Sequence, residues 1–192
     1  KKIWVQRLSY VGELGFELYV KINESKEIYN LIIERGKEHS LSLCGMLSMD
    51  TMRMEKGYLH WGHDMSPEEN QYEVGLNFAI SFKKNINFVG KKAIDKIKNE
   101  KCKKKLVMLT LKNGHPGSPL LLHDEPVYCE SKIVGRTTSC NYSFNYKKNM
   151  SLAYINLDFP IEELEKKVYF IEVEKKMHEA ILLKKALHDP KN

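Results

Sequence analysis

The chain has 192 residues, of which 42% are hydrophobic and 29% charged, with a formal net charge of +6. That length supports one domain, or two small ones, around a buried core. No apolar run approaches the roughly 20 residues of a membrane-spanning helix, and no charged-then-apolar leader is seen, so no membrane role is expected. The lysines gather at Lys83–Lys84, Lys91–Lys105 and Lys147–Lys148. They read as solvated faces and loops. No aromatic RNA-binding signature or zinc-finger spacing accompanies them, so no nucleic-acid partner is expected. A basic surface can still steer an anionic small molecule. The four cysteines, Cys44, Cys102, Cys129 and Cys140, are scattered without a C-x-x-C pair. Reduced thiols in a bacterial cytoplasm or a mitochondrial matrix are expected, with no metal. Lys1-Lys-Ile-Trp4 starts inside a strand-like pattern without an initiator Met. The expectation is a fragment or a processed product.

In chain order, Ile3–Ser9 and Phe16–Lys21 read as paired strands around Gly12-Glu13-Leu14-Gly15. The two glycines permit backbone conformations closed to other residues and a close approach by a ligand. Glu13 at the tip suits a planar edge with two parallel N–H donors, such as the 2-amino-4-oxo edge of a pterin. A plain hairpin turn with a solvated Glu fits the same spacing. Asn23 reads as the N-cap of a helix to about Glu38. Met46–Lys56 reads as a methionine-rich helix stopped by Gly57, its methionines taken as core. Tyr58–Met65 is a loop dense in aromatic and polar groups. His60 and His63 lack a third ligand at a useful spacing, so metal is not expected there. Asn77–Phe82 reads as a strand and Phe88–Ile97 as a helix opened by Gly90. Asn99–Lys105 is a charged candidate linker.

Beyond it the pattern changes. Leu106–Leu111, Pro126–Cys129, Lys132–Thr137, Met150–Ile155, Val168–Val173 and Met177–Leu183 read as short strands, with a turn near Ile161–Lys166. Glu174–Lys176 reads as a hairpin turn. Many short strands without a strong helix imply a small antiparallel barrel or sandwich.

Taken in order, several motifs form a specific set. They are Tyr10-Val-Gly-Glu-Leu-Gly-Phe-Glu17, Gly45 with Asp50-Thr-Met-Arg-Met-Glu-Lys-Gly-Tyr58, and Trp61-Gly-His-Asp64. Tyr72-Glu-Val-Gly-Leu76, Phe88-Val-Gly-Lys-Lys-Ala93, Val134-Gly-Arg-Thr-Thr-Ser139 and His188-Asp-Pro190 complete it. The set resembles the C-terminal half of the folate-dependent aminomethyltransferase family. That family includes the glycine-cleavage T protein and the C-terminal portions of dimethylglycine and sarcosine dehydrogenases. The resemblance implies an α+β fold: the second part of a mixed folate-binding domain over residues 1–100, then an antiparallel β-barrel or sandwich domain over 101–192. It implies tetrahydrofolate as cofactor, with FAD only where a dehydrogenase domain lies upstream. The partners implied are a one-carbon donor amine and the upstream half of the same protein.

The folate-binding residues implied are Tyr10, Gly12, Glu13, Leu14, Arg53 and Trp61. From the residues alone, Arg53 can also pair with Asp50 along the helix, and Tyr10 and Trp61 can also fill a gap between domains. Glu55 and Tyr58 read as anchors of the helix end. The family's catalytic Asp lies upstream, so no catalytic residue is assigned in this sequence. Met49 stands where the T protein has an Arg, which favours the dehydrogenase branch. Cys140 stands where glycine is usual, which leaves the local backbone path and a reactive thiol open. A non-catalytic regulatory paralogue that keeps the scaffold is the alternative to an enzyme.

Overall fold

The computed structural model describes residues 1–84, 86–98 and 100–190. Strands β1 (Trp4–Gln6) and β2 (Glu17–Tyr19) pair antiparallel, with Trp4 opposite Tyr19, as a two-stranded sheet of their own. The ladder is shorter than the apolar runs because Leu8 N–H bonds back to the Gln6 carbonyl at 3.0 Å, turning the chain out of extension.

Helix α1 (Ile22–Gly36) begins one residue ahead of Asn23, so Asn23 lies in its first turn and is not the cap. Lys21 takes the flanking position with an extended backbone and no side-chain cap bond. Helix α2 (Met46–Lys56) matches its predicted bounds. Gly57 ends it at φ 78°, and its N–H reaches the Arg53 and Met54 carbonyls. Only glycine adopts that left-handed C′ position at little cost. Of the methionines, Met54 is fully buried whereas Met46 is exposed.

The expected strand at Asn77–Phe82 is absent. Asn77–Ala79 forms a 3-10 turn, closed by Ala79 N–H to Leu76 and Ile80 N–H to Asn77. No described strand lies beside this run to complete a ladder, so local bonds satisfy the backbone instead. Helix α3 (Lys91–Ile97) follows Gly90 as expected. In the candidate linker Asn99 lies outside the described residues, while Lys104 and Lys105 already belong to the next strand.

The remaining strands are β3 (Lys104–Leu111), β4 (Pro126–Cys129), β5 (Lys132–Ser143), β6 (Lys148–Asn156), β7 (Tyr169–Val173) and β8 (Lys176–Leu183). They close an antiparallel barrel in the order β3-β6-β5-β4-β7-β8, with β8 pairing back onto β3. The alternation of side chains along each strand sorts them into two layers. Val107, Leu109, Val127, Ile155, Tyr169 and Ile171 belong to one buried cluster, the barrel interior. Leu106, Met108, Met150, Leu152 and Tyr154 take the opposite face and pack with Met54 of α2 in a second cluster. Strands β3 and β6 are thus buried on both faces, and α2 is the lid over the outer one. The expected turn at Ile161–Lys166 is a 3-10 helix, from which Leu164 joins the interior cluster.

Two tight hairpins fix register. Glu130-Ser131 joins β4 to β5 and Glu174-Lys175 joins β7 to β8, all four residues at positive φ. That is the geometry of a type I′ turn, whose twist matches the flanking strands. At Gly135 an added Cβ would lie 1.8 Å from the Tyr154 carbonyl oxygen, so the β5–β6 approach there requires glycine.

Candidate functional site

Helix α2 is seated on β5 by polar contacts that follow both repeats at once. Ser139, Asn141 and Ser143 are two apart and share one face of the strand. Arg53 Nη2 donates to Ser139 Oγ at 2.8 Å, and Asn141 Nδ2 donates to Asp50 at 3.2 Å. Ser143 Oγ donates to Glu55 at 2.6 Å. Asn145 Nδ2 donates to the other Glu55 oxygen at 2.8 Å. Glu55 therefore anchors the helix end, as expected.

The Arg53 guanidinium, 2% exposed, is the hub. Nε donates to Asp50 at 2.7 Å; Nη1 donates to Asp64 at 2.7 Å and to the Tyr58 carbonyl at 3.2 Å. Asp64 is fully buried and accepts further bonds from the His60 N–H and from Thr138 Oγ1, while its carbonyl accepts from Tyr154 Oη. Thr138 and Ser139 are adjacent in sequence yet reach the same ion pair. A bulge at this point makes that possible: Thr137 opposes Ala153 and Ser139 opposes Leu152, leaving Thr138 as the extra residue. Every charge in this network has several partners, the condition under which a buried ion pair is tolerated.

Against this platform lies the segment between β1 and β2. Tyr10 Oη donates to the Leu59 carbonyl at 2.7 Å, and its ring stacks on Tyr58 with centroids 6.2 Å apart. Burial raises the Tyr10 phenol above its ordinary range, with nearby Asp64 and Asp50 adding to the shift and Arg53 opposing it. Gly12, at φ 77°, runs along the aliphatic stem of Lys56: an added Cβ would sit 2.7 Å from Lys56 Cγ. Lys56 Nζ in turn donates to Asp189 at 3.0 Å. Glu13 follows Gly12 and is 56% exposed. Its Oε1 lies 2.7 Å from His188 Nε2, and among the described residues Oε2 has no protein partner.

The predicted residues therefore divide. Tyr10, Gly12 and Glu13 meet Lys56, Tyr58 and the C-terminal tail around one exposed carboxylate. Leu14 is 72% and Trp61 63% exposed, the latter in the turn that Asp64 closes. Arg53 is turned inward beneath them. His188 and Tyr146, which sequence reasoning did not place here, lie far away in the chain, and the only signal was the terminal His188-Asp-Pro190 motif. Cys140 stays in the β5–β6 ladder opposite Ser151, so the cysteine does not divert the strand. Its thiol donates to the Leu122 carbonyl at 2.9 Å, and burial pushes it up to about 11. Among the described residues no three His, Cys, Asp or Glu groups cluster as metal ligands.

Two family models match the chain: the GCVT N-terminal domain over residues 1–84 and the glycine cleavage T-protein C-terminal barrel domain over residues 104–189. The chain belongs to the glycine-cleavage T-protein family. Human mitochondrial dimethylglycine dehydrogenase is 35% identical over 149 residues, 78% of this chain and 17% of that protein. An aminomethyltransferase from Symbiobacterium thermophilum is 34% identical over 152 residues, 79% of this chain and 39% of that protein. The 4-methylaminobutanoate oxidase (formaldehyde-forming) of Paenarthrobacter nicotinovorans is 31% identical over 185 residues, 96% of this chain and 22% of its own length. The fold matches the crystal structure of glycine cleavage system aminomethyltransferase T from Bartonella henselae with a TM-score of 0.82 at 17% identity. That match covers 97% of this chain and 50% of that one. The chain thus spans from about a sixth to a half of the length of these family members.

Proposed function

We propose that this chain supplies the pterin-holding side of a tetrahydrofolate-dependent one-carbon transferase. The carrying observation is Glu13: an exposed carboxylate with one oxygen that has no protein partner among the described residues, beside the Tyr10–Tyr58 stack, in a T-family fold. The donor set fits the group. A carboxylate is acceptor-only, and two parallel N–H bonds to it would be worth about 1.5–3 kcal/mol each. Bound tetrahydrofolate supplies amine nitrogens that take up a one-carbon unit. Glu13 would hold the pterin edge, Gly12 would let the backbone pass under it, and Tyr10 would wall the site. Leu14 and Trp61 are exposed apolar groups suited to covering the ligand. Arg53 we assign to holding α2 on the barrel rather than to the ligand, because its guanidinium is already bonded on several sides.

No residue of this chain is assigned the carboxylate that acts on the reacting carbon. An upstream half of the same protein would supply it, and the apolar side chains of Trp4, Phe16, Met46 and Leu47, all exposed, suit contact with such a half. Division into a folate-binding part over residues 1–100 and a barrel part over 101–192 belongs to the same proposal. Met49 and the dehydrogenase relatives favour dimethylglycine or sarcosine as the one-carbon donor. In that branch FAD would be the oxidant, and no residue here is assigned to it. Free thiols at all four cysteines suit a bacterial cytoplasm or a mitochondrial matrix.

The test is a tetrahydrofolate titration of the full-length polypeptide beside its Glu13→Gln and Glu13→Ala variants. Both substitutions are expected to weaken binding by tenfold or more. Unchanged affinity in both removes Glu13 from the site.

A further inference from the structure

Glu13 is exposed, and an exposed carboxylate samples several rotamers at a cost to any ligand that needs one of them. Here it is restrained from an unexpected quarter. His188 Nε2 lies 2.7 Å from Glu13 Oε1, and His188 Nδ1 lies 3.1 Å from the Tyr146 hydroxyl. The His188 backbone N–H bonds to the Glu55 carbonyl at 2.8 Å at the end of α2. Its neighbour Asp189 pairs with Lys56, the side chain on which Gly12 rests. Tyr146 belongs to the turn between β5 and β6, where its N–H bonds to Ser143 Oγ at 3.0 Å. The end of α2 and the β5–β6 turn thus hold His188 by its backbone and by one ring nitrogen, and its other ring nitrogen meets Glu13.

We propose that His188 is the positioning residue that aims the Glu13 carboxylate at its ligand, with Tyr146 orienting the imidazole. This rests on the reading of Glu13 given above. A carboxylate can only accept, so Nε2 is the atom that carries a proton when it faces Glu13 at this distance. With that proton on Nε2 and the ring neutral, Nδ1 is an acceptor to which the Tyr146 hydroxyl can donate. The arrangement has the logic of a histidine held by an outer partner, as in metal and triad sites, but applied to a binding carboxylate. Oε1 keeps a further lone pair and, among the described residues, Oε2 has no protein partner, so the His188 contact restrains the group without occupying its ligand face.

Two substitutions separate positioning from mere latching of the tail. Gln at 188 keeps a donor near the Nε2 position and gives up the Tyr146 bond. Asn keeps a polar atom near Nδ1 and gives up the contact with Glu13. The first readout needs no ligand: the His188 Nε2–H resonance in proton NMR of the full-length polypeptide. It is expected to be protected from solvent exchange in the parent and lost in Glu13→Ala. The second is tetrahydrofolate affinity, expected to fall roughly tenfold in His188→Ala and His188→Asn and to recover most of that loss in His188→Gln.

A resonance indifferent to Glu13→Ala overturns the inference without reference to folate. Equal affinities for the Gln and Asn variants, with binding still dependent on Glu13, overturn it while leaving the reading of Glu13 intact. Binding indifferent to Glu13→Ala overturns both.

Discussion

At Arg53 the helical repeat and the strand repeat meet. Its side chain joins α2, the Asp64 turn and β5 through bonds spanning 3 to 86 residues of sequence. Asp64→Asn removes one of the charges that compensates this 2%-exposed guanidinium. Breaking such a buried pair by one partner should cost about 3–5 kcal/mol, read as a lower urea midpoint at unchanged slope. A loss under 1 kcal/mol would show the pair to be wet. Cys140 gives a second residue-scale prediction. With its thiol pushed up to about 11, roughly one molecule in a thousand is thiolate at pH 8. Alkylation there should trail the exposed Cys44 by a wide margin and accelerate tenfold per pH unit until about pH 11. Comparable rates at the two cysteines would contradict the raised thiol. Neither the Arg53 network nor the His188–Glu13 contact was legible in the sequence. Only the local Asp50–Arg53 pair, three residues apart on one helix face, was visible there.

Among the elements, those whose partners are local or periodic were legible. The barrel strands show alternating apolar residues between turn signals, and α2 lies between two glycines. The strand expected over Lys132–Thr137 runs on to Ser143, because Ser139, Asn141 and Ser143 face α2 rather than water. The run Asn77–Phe82 failed the other way, since apolar content cannot make a strand that has no ladder partner. The Glu174-Lys175 turn places two non-glycine residues at φ 50° and 62°. Left-handed backbone costs such residues about 1 kcal/mol each. Replacing the pair with Asn-Gly should stabilise the protein by about 1 kcal/mol, seen as a raised thermal midpoint. A lowered midpoint would mean that the native turn makes side-chain contacts beyond its backbone geometry.

At the scale of the whole molecule, stability is unevenly spread. The barrel buries two apolar layers, whereas β1 and β2 form a ladder of three residue pairs with Trp4, Val5, Leu18 and Tyr19 exposed. An isolated two-stranded sheet is marginal in water. Native-state hydrogen exchange should find β3 and β6 most protected and β1–β2 least, with protection of the latter rising when tetrahydrofolate binds beside them. Uniform protection would contradict this gradient. Glu13 lies in the turn of that short ladder, while Lys56 belongs to α2, which is seated on the barrel.

The most direct test of Glu13 as the pterin acceptor is a cycle between protein and ligand. Tetrahydrofolate and its analogue lacking the 2-amino group are titrated against the full-length parent and Glu13→Ala. Loss of the amino group should weaken binding about tenfold or more in the parent and hardly at all in Glu13→Ala, because the accepting oxygen is already gone. Equal losses in both proteins would place the pterin edge elsewhere.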